Sequence, residues 1–198
     1  MIHSIVAEGY SYRLRPITID DSSFVVSLRT HPELNKYINS VSGNVEEQEN
    51  WIIDYEKRQN DYYFVVERKQ DRKKEGLISV YDIDSNKKEG EWGRWVLSKG
   101  SLAAVESVWL LCRVAFDELG LNVVYSRTIS DNKKVISFHN SCGFKVRKTH
   151  QRYFRCGSEW LDAIEHVLYR KDWPQIELEL NKMAKVTSNR ILGKTISS

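Results

Sequence analysis

Apolar and polar residues alternate from residue 10 to 17, with Tyr10, Tyr12 and Leu14 set against Ser11, Arg13 and Arg15. A period of two predicts a half-buried strand. The period then changes. Phe24, Val25 and Leu28 form a helical stripe behind Thr18 and Asp21, which have capping-box spacing. His31-Pro32 ends that helix, because a residue before proline avoids the α region. A short helix or turn is expected over residues 34–38. After the loop Ser42-Gly43-Asn44, a second helix is predicted to about Arg58. Asn44 and Glu47 cap it, and Val45, Gln48, Trp51, Ile52 and Tyr55 share one face. Three strands follow, over residues 61–68, 76–84 and 89–97, each rich in aromatic or β-branched residues. The charged stretches between them, 69–74 and 85–88, read as solvated turn tips.

The longest helical pattern covers residues 102–119, where Val105, Val108, Trp109, Cys112, Ala115, Phe116 and Leu119 recur every three or four positions before Gly120. Residues 121–129 then read as a strand that reaches Ser130-Asp131-Asn132, a helix cap. A short helix with Val135, Ile136 and Phe138 on one face stops at Cys142-Gly143-Phe144. Two strands, 145–155 and 160–169, meet at Cys156-Gly157-Ser158-Glu159. Pro174 introduces an amphipathic helix through Ile176, Leu180 and Met183, and a mobile polar tail is expected after it. Helices and strands in this order predict a mixed α and β protein without strict βαβ repetition.

At 198 residues, 41% hydrophobic and 29% charged, the chain is long enough for one well-buried domain and short for two. That domain is expected over residues 1–174, with the C-terminal helix and tail over 175–198. The 30 basic and 27 acidic residues are interspersed, so the net charge of +3 builds no face of the kind that binds nucleic acid. Cys112, Cys142 and Cys156 are odd in number and lack C-x-x-C spacing, which predicts small buried hydrophobes rather than a disulfide framework or a zinc site. Met1-Ile2-His3-Ser4 opens no cationic and apolar leader, and there is no run of about 18 apolar residues. No membrane role is expected, and the cytoplasm is the expected location.

The segment from Leu121 to Phe144, with Asp131-Asn132 and Gly143-Phe144 at their spacing, resembles the second half of the acetyl-CoA site in the GNAT superfamily of N-acetyltransferases. The order of elements is similar too. The resemblance implies the GNAT fold, a mixed and mostly antiparallel central sheet of about seven strands flanked by helices. It also implies that the cofactor diphosphate sits on the N-terminus of the long helix, where free N–H groups and the helix dipole favour an anion. The candidate cofactor residues are Val96, Leu97, Lys99, Gly100, Ser101, Leu102, Ala103, Ala104 and Asn132. The family pattern there is Arg or Gln, two residues, Gly, one residue, then Gly or Ala. Ala104 fits it, whereas Lys99 and Leu102 depart from it, and Gly100 and Ser101 are expected to supply flexibility and a hydroxyl instead. Ala103-Ala104-Val105-Glu106-Ser107 and Trp160-Leu161-Asp162 resemble the branch that acetylates ribosomal protein N-termini and related amines. Tyr37, Trp51 and Tyr55 resemble its relatives acting on nucleotide-linked amino sugars, and are the candidate substrate residues.

Transfer of an acetyl group to an amine needs a neutral nucleophile, a polarised carbonyl and a proton for the departing thiolate. By resemblance, backbone N–H groups of Val96 and Leu97 would hold the carbonyl oxygen. Glu91 is the candidate general base, with a solvent-facing strand residue as the plain alternative. His139 stands where many relatives carry a tyrosine facing the coenzyme A sulfur, and an imidazole there is a candidate proton donor or acceptor. His3, His31, His150 and His166 lack metal-ligand spacing and are expected to be structural or exposed, so no metal is expected. The leading function is an acetyl-CoA-dependent N-acetyltransferase of a small-molecule amine, first a nucleotide-linked amino sugar. Acetylation of a protein N-terminus or lysine and a non-catalytic acyl-CoA-binding module stay open, as does a homodimer.

Overall fold

The computed structural model describes residues 3–38, 41–156 and 158–193. Among the described residues eight strands form one sheet in the order β1-β2-β3-β4-β5-β6-β8-β7. They are β1 (Ala7–Glu8), β2 (Tyr12–Pro16), β3 (Tyr62–Arg68), β4 (Lys74–Asp84), β5 (Glu89–Leu97), β6 (Val123–Ile129), β7 (Lys145–Cys156) and β8 (Glu159–Tyr169). Among the described residues β5 and β6 pair in parallel and every other neighbouring pair is antiparallel. The strand over residues 10–17 starts two residues later than its alternation suggested, because Gly9 N–H donates to the Tyr12 carbonyl in a tight turn from β1. That two-residue β1 left no readable period.

Five α-helices among the described residues cover the sheet: α1 (Ser22–Arg29), α2 (Val45–Tyr55), α3 (Ala104–Arg113), α4 (Lys133–Ser141) and α5 (Trp173–Ile191). Thr18 N–H donates to the Asp21 carboxylate at 2.9 Å, so the expected capping box opens a single 3₁₀ turn ahead of α1. Asn44 caps α2 through Glu46 and Glu47 N–H, although the helix ends at Tyr55 rather than near Arg58. Residues 34–38 are turns. α3 continues as a π-helical turn, Val114–Glu118.

Side-chain alternation on the central strands feeds two cores. Tyr12, Leu14, Phe64, Val66, Ile78, Val80 and Trp92 pack with Val108, Leu110, Leu111 and Cys112 of α3 on one face. Ile17, Tyr63, Val65, Leu77 and Val96 pack with Val25 and Leu28 of α1 and Ile52 and Tyr55 of α2 on the other. β3 is therefore buried on both faces, which explains its unbroken run Tyr-Tyr-Phe-Val-Val. α5 is longer than expected, since the segment read as the start of a polar tail remains helical to Ile191. Trp173, Leu180 and Ala184 join the α3 core. The tail beyond residue 193, and Gly157 of the last hairpin, lie outside the described residues. Cys112 and Cys142 are buried as expected. No described helix is long and apolar enough to cross a membrane.

Candidate active site

A β-bulge in β5 shapes the centre of the sheet. Leu77 faces Val96 and Ser79 faces Gly93, so β5 carries one residue more than β4, and Arg94 takes φ 48, a left-handed value rare for a side-chain-bearing residue. The extra residue reverses the alternation. Trp92 points into the α3 core and Val96 into the α1–α2 core, although both are even-numbered. A bulged strand bends, and β5 follows β4 away from β6, which stays paired with β8 from Val123 to Ile129. Parallel pairing of β5 with β6 ends at Glu91 and Tyr125.

Beyond that point the strands splay, leaving a cleft of about 250 Å³. Trp92, Trp95, Ser126, Val135 and His139 line it from the α4 side. Glu91, Tyr81, Arg94 and Arg127, with Arg29, Tyr37 and Tyr153, belong to the rest of the wall. Since Trp92 packs in the α3 core, its neighbour Glu91 projects from the opposite face. Glu91 and His139 thus approach one opening from two sides of the sheet.

Glu91 is 6% exposed, and Arg127 donates to its Oε2 at 2.7 Å. Burial pushes its carboxyl above the usual glutamate range, with the Arg127 charge and the Tyr81 phenol opposing. Arg127 also pairs with Glu165 at 3.2 Å, and Arg147 and His150 meet the same carboxylate at 2.6 and 2.9 Å. His139 is 2% exposed. Burial, with His166 adding to it, pushes its pKa down to about 3, so the ring is neutral at ordinary pH. Its Nδ1 lies 3.4 Å from Ser126 Oγ, while Nε2 is buried without a hydrogen-bond partner. A buried polar atom left unmatched at a cleft wall is available to a ligand. The environment does not supply an imidazolium at neutral pH, so the ring offers hydrogen bonding by its neutral form.

The expected cofactor residues form the end of β5 and the start of α3. No side chain caps α3, and its first turn presents the free N–H groups of a helix start. Leu102, in place of the family glycine, is 50% exposed. Gly100 holds φ 79 with open space around it. Trp95 Nε1–H donates to Ser107 Oγ at 3.3 Å, tying the cleft wall to α3. The Ser101 hydroxyl donates to Glu75 Oε2 at 2.8 Å, and exposed Lys99 pairs with Glu33 at 2.9 Å. Val96 is buried in β5 and Ala103 is fully buried. Asn132 caps α4 through Val135 N–H and also lines the cleft.

Among the candidate substrate residues, Tyr37 lines the cleft, and its hydroxyl lies 3.4 Å from the Asp131 carbonyl. Trp51 and Tyr55 are not among the lining residues of this cleft: Tyr55 is buried in the α1–α2 core and half-buried Trp51 packs against it. Their rings stack at 5.6 Å, and Tyr55 accepts from Tyr63 N–H and donates to the Asp61 carbonyl. Both sit on the predicted apolar face of α2. Arg29, Arg94, Arg127, Tyr81 and Tyr153 carried no local pattern and are brought together by the sheet and α1.

An acetyltransferase (GNAT) domain model matches residues 12–145, most of the chain. The chain belongs to the GNAT acetyltransferase family. The apo structure of FdhC, a nucleotide-linked sugar GNAT, superposes with a TM-score of 0.75 at 27% identity, over 89% of this chain and 97% of its own. A GCN5-related N-acetyltransferase from Brucella melitensis gives a TM-score of 0.80 at 18% identity, over 92% and 86%. A spermidine N-acetyltransferase from Vibrio cholerae gives 0.72 at 17%, over 82% and 96%. No curated protein matches the chain by sequence. The GNAT family uses acetyl-CoA, and the uncapped α3 start, the outward Leu102 and the splayed strands of this GNAT chain fit that cofactor.

Proposed function

We propose that this GNAT chain is an acetyl-CoA-dependent N-acetyltransferase whose acceptor is a primary amine on an anionic small molecule, a nucleotide-linked amino sugar being the first choice. The supporting observation is the charge of the cleft wall. Arg29, Arg94 and Arg127 line it, with Arg94 paired to Asp61 and Arg127 to Glu91 and Glu165, and Glu91 is its single carboxylate among the described residues. A polyamine would bring several positive charges to this guanidinium-lined wall, whereas a phosphate would add to those ion pairs as a further acceptor. A peptide acceptor calls for an open acidic groove, which this lining is not. The 27% identity with a nucleotide-linked sugar GNAT supports the same choice.

Acetyl-CoA supplies an acetyl thioester, and the transfer forms a C–N bond as the C–S bond breaks, the amine losing one proton and the thiol gaining one. The first turn of α3 would hold the diphosphate, and amides of β5 beyond Glu91, freed from β6, would meet the carbonyl. Glu91 would take the amine proton at a carboxylate oxygen, since its raised pKa brings its basicity toward neutrality. His139 would hydrogen-bond at the sulfur through its unmatched Nε2. The free buried thiols of Cys112 and Cys142 suit the reducing cytoplasm.

Thiol release from acetyl-CoA, followed with a panel of amines, tests this reading. Release with nucleotide-linked amino sugars supports it. Coenzyme A binding with no amine acetylated would establish the non-catalytic module instead.

A further inference from the structure

We propose that Glu75 is a positioning residue for the diphosphate-binding turn, fixing a loop shape that Leu102 in place of a glycine leaves unset; this rests on the acetyl-CoA reading above. The turn from Ser98 to Ala103 is pinned to this one residue of β4 at both ends. The Glu75 carbonyl accepts from Ser98 N–H at 2.8 Å, and its carboxylate Oε2 accepts from the Ser101 hydroxyl at 2.8 Å. Ser101 Oγ in turn accepts from Ala103 N–H at 3.2 Å, and Ser101 N–H donates back to the Ser98 carbonyl at 3.0 Å. Between these ties lies Gly100, whose φ of 79 and open surroundings give the turn no packing of its own. The bond through Ser101 therefore sets where the chain enters α3, and with it the direction of the free N–H groups of the first turn.

Charge alone would make Glu75 a poor neighbour for a diphosphate. The residue is 4% exposed, and its carboxylate receives the Tyr12 hydroxyl at 2.9 Å and Arg68 at 3.4 Å as well as Ser101, so its charge is met from the β2 side and within the sheet. What remains is geometry. The competing role, holding the Tyr12 phenol in the core, uses the same oxygen and is separable by substitution.

Calorimetric titration of coenzyme A into the full chain and into Glu75→Ala, Glu75→Gln, Ser101→Ala and Tyr12→Phe tests the assignment, with the ratio of kcat/KM for acetyl-CoA to that for acetylpantetheine, which lacks the diphosphate, as a second readout. Losing one oriented hydrogen bond is expected to weaken coenzyme A about tenfold in Glu75→Ala and Ser101→Ala, and to lower the kcat/KM ratio by a similar factor. Glu75→Gln keeps an acceptor oxygen and should restore binding, and Tyr12→Phe should bind as the wild type does. Unchanged affinity in Ser101→Ala, which decides the matter if Glu75→Ala fails to fold, would overturn the assignment. Equal loss with acetyl-CoA and acetylpantetheine would overturn it too. No heat with the wild type would instead remove the cofactor reading itself.

Discussion

Glu91 is held between two opposing influences, burial that raises its pKa and the Arg127 guanidinium 2.7 Å away that lowers it, and burial wins. The base form therefore exists only above that raised value, so kcat/KM should fall as pH drops through it. Glu91→Gln is expected to lose about a hundredfold or more in kcat and to flatten that acid limb, which pH-dependent kinetics would show; an unaltered limb would clear Glu91 of the role. For His139, replacement by alanine should lower turnover about tenfold or more while coenzyme A affinity holds, because on the proposed reading the ring would meet the reacting end of the cofactor rather than its diphosphate. Unchanged turnover would make His139 a core residue beside Trp92 and Phe144, whose ring centroids lie 4.9 and 5.8 Å away. Both residues were legible only through the family resemblance, since a lone Glu on a strand and a lone His on a helix carry no period. The guanidinium wall was not legible at all. Arg29, Arg94 and Arg127 come from α1, the bulge of β5 and β6, and only tertiary folding brings them together.

Elements were easier to read than sites. Strong periods and caps foretold α1, α2, α4 and every strand from β2 to β8 within a few residues, because burial on one or both faces imposes those periods. The β5 bulge escaped notice, since Arg94 at φ 48 is not a residue that announces a left-handed position. The end of α5 was missed for a different reason. Its last turns are polar on most sides, with Leu180, Ala184 and Ser188 buried and Ile191 packed against the core. That narrow stripe still matters to stability. Leu180 is fully buried, so Leu180→Ala should cost about 2–5 kcal/mol by lost burial and the cavity left behind, measurable by chemical denaturation. A loss near zero would mean that the helix is not anchored on α3.

At the scale of the molecule, one extra residue in β5 has consequences for the entire sheet. It turns Trp92 and Val96 to opposite cores, parts β5 from β6 and opens a passage that Glu91 and His139 reach from opposite faces. On the proposed reading, such an opening would let a cofactor held at α3 and an acceptor held by the arginine wall meet without sharing a binding surface, and the charge of that wall would separate an anionic acceptor from a polyamine. The most direct test offers the protein acetyl-CoA with an equimolar mixture of a nucleotide-linked amino sugar and spermidine, and weighs the products by mass spectrometry. Acetylated nucleotide sugar in at least about tenfold excess is the predicted result, the size of one favourable charged contact. Acetylspermidine as the main product would contradict the account.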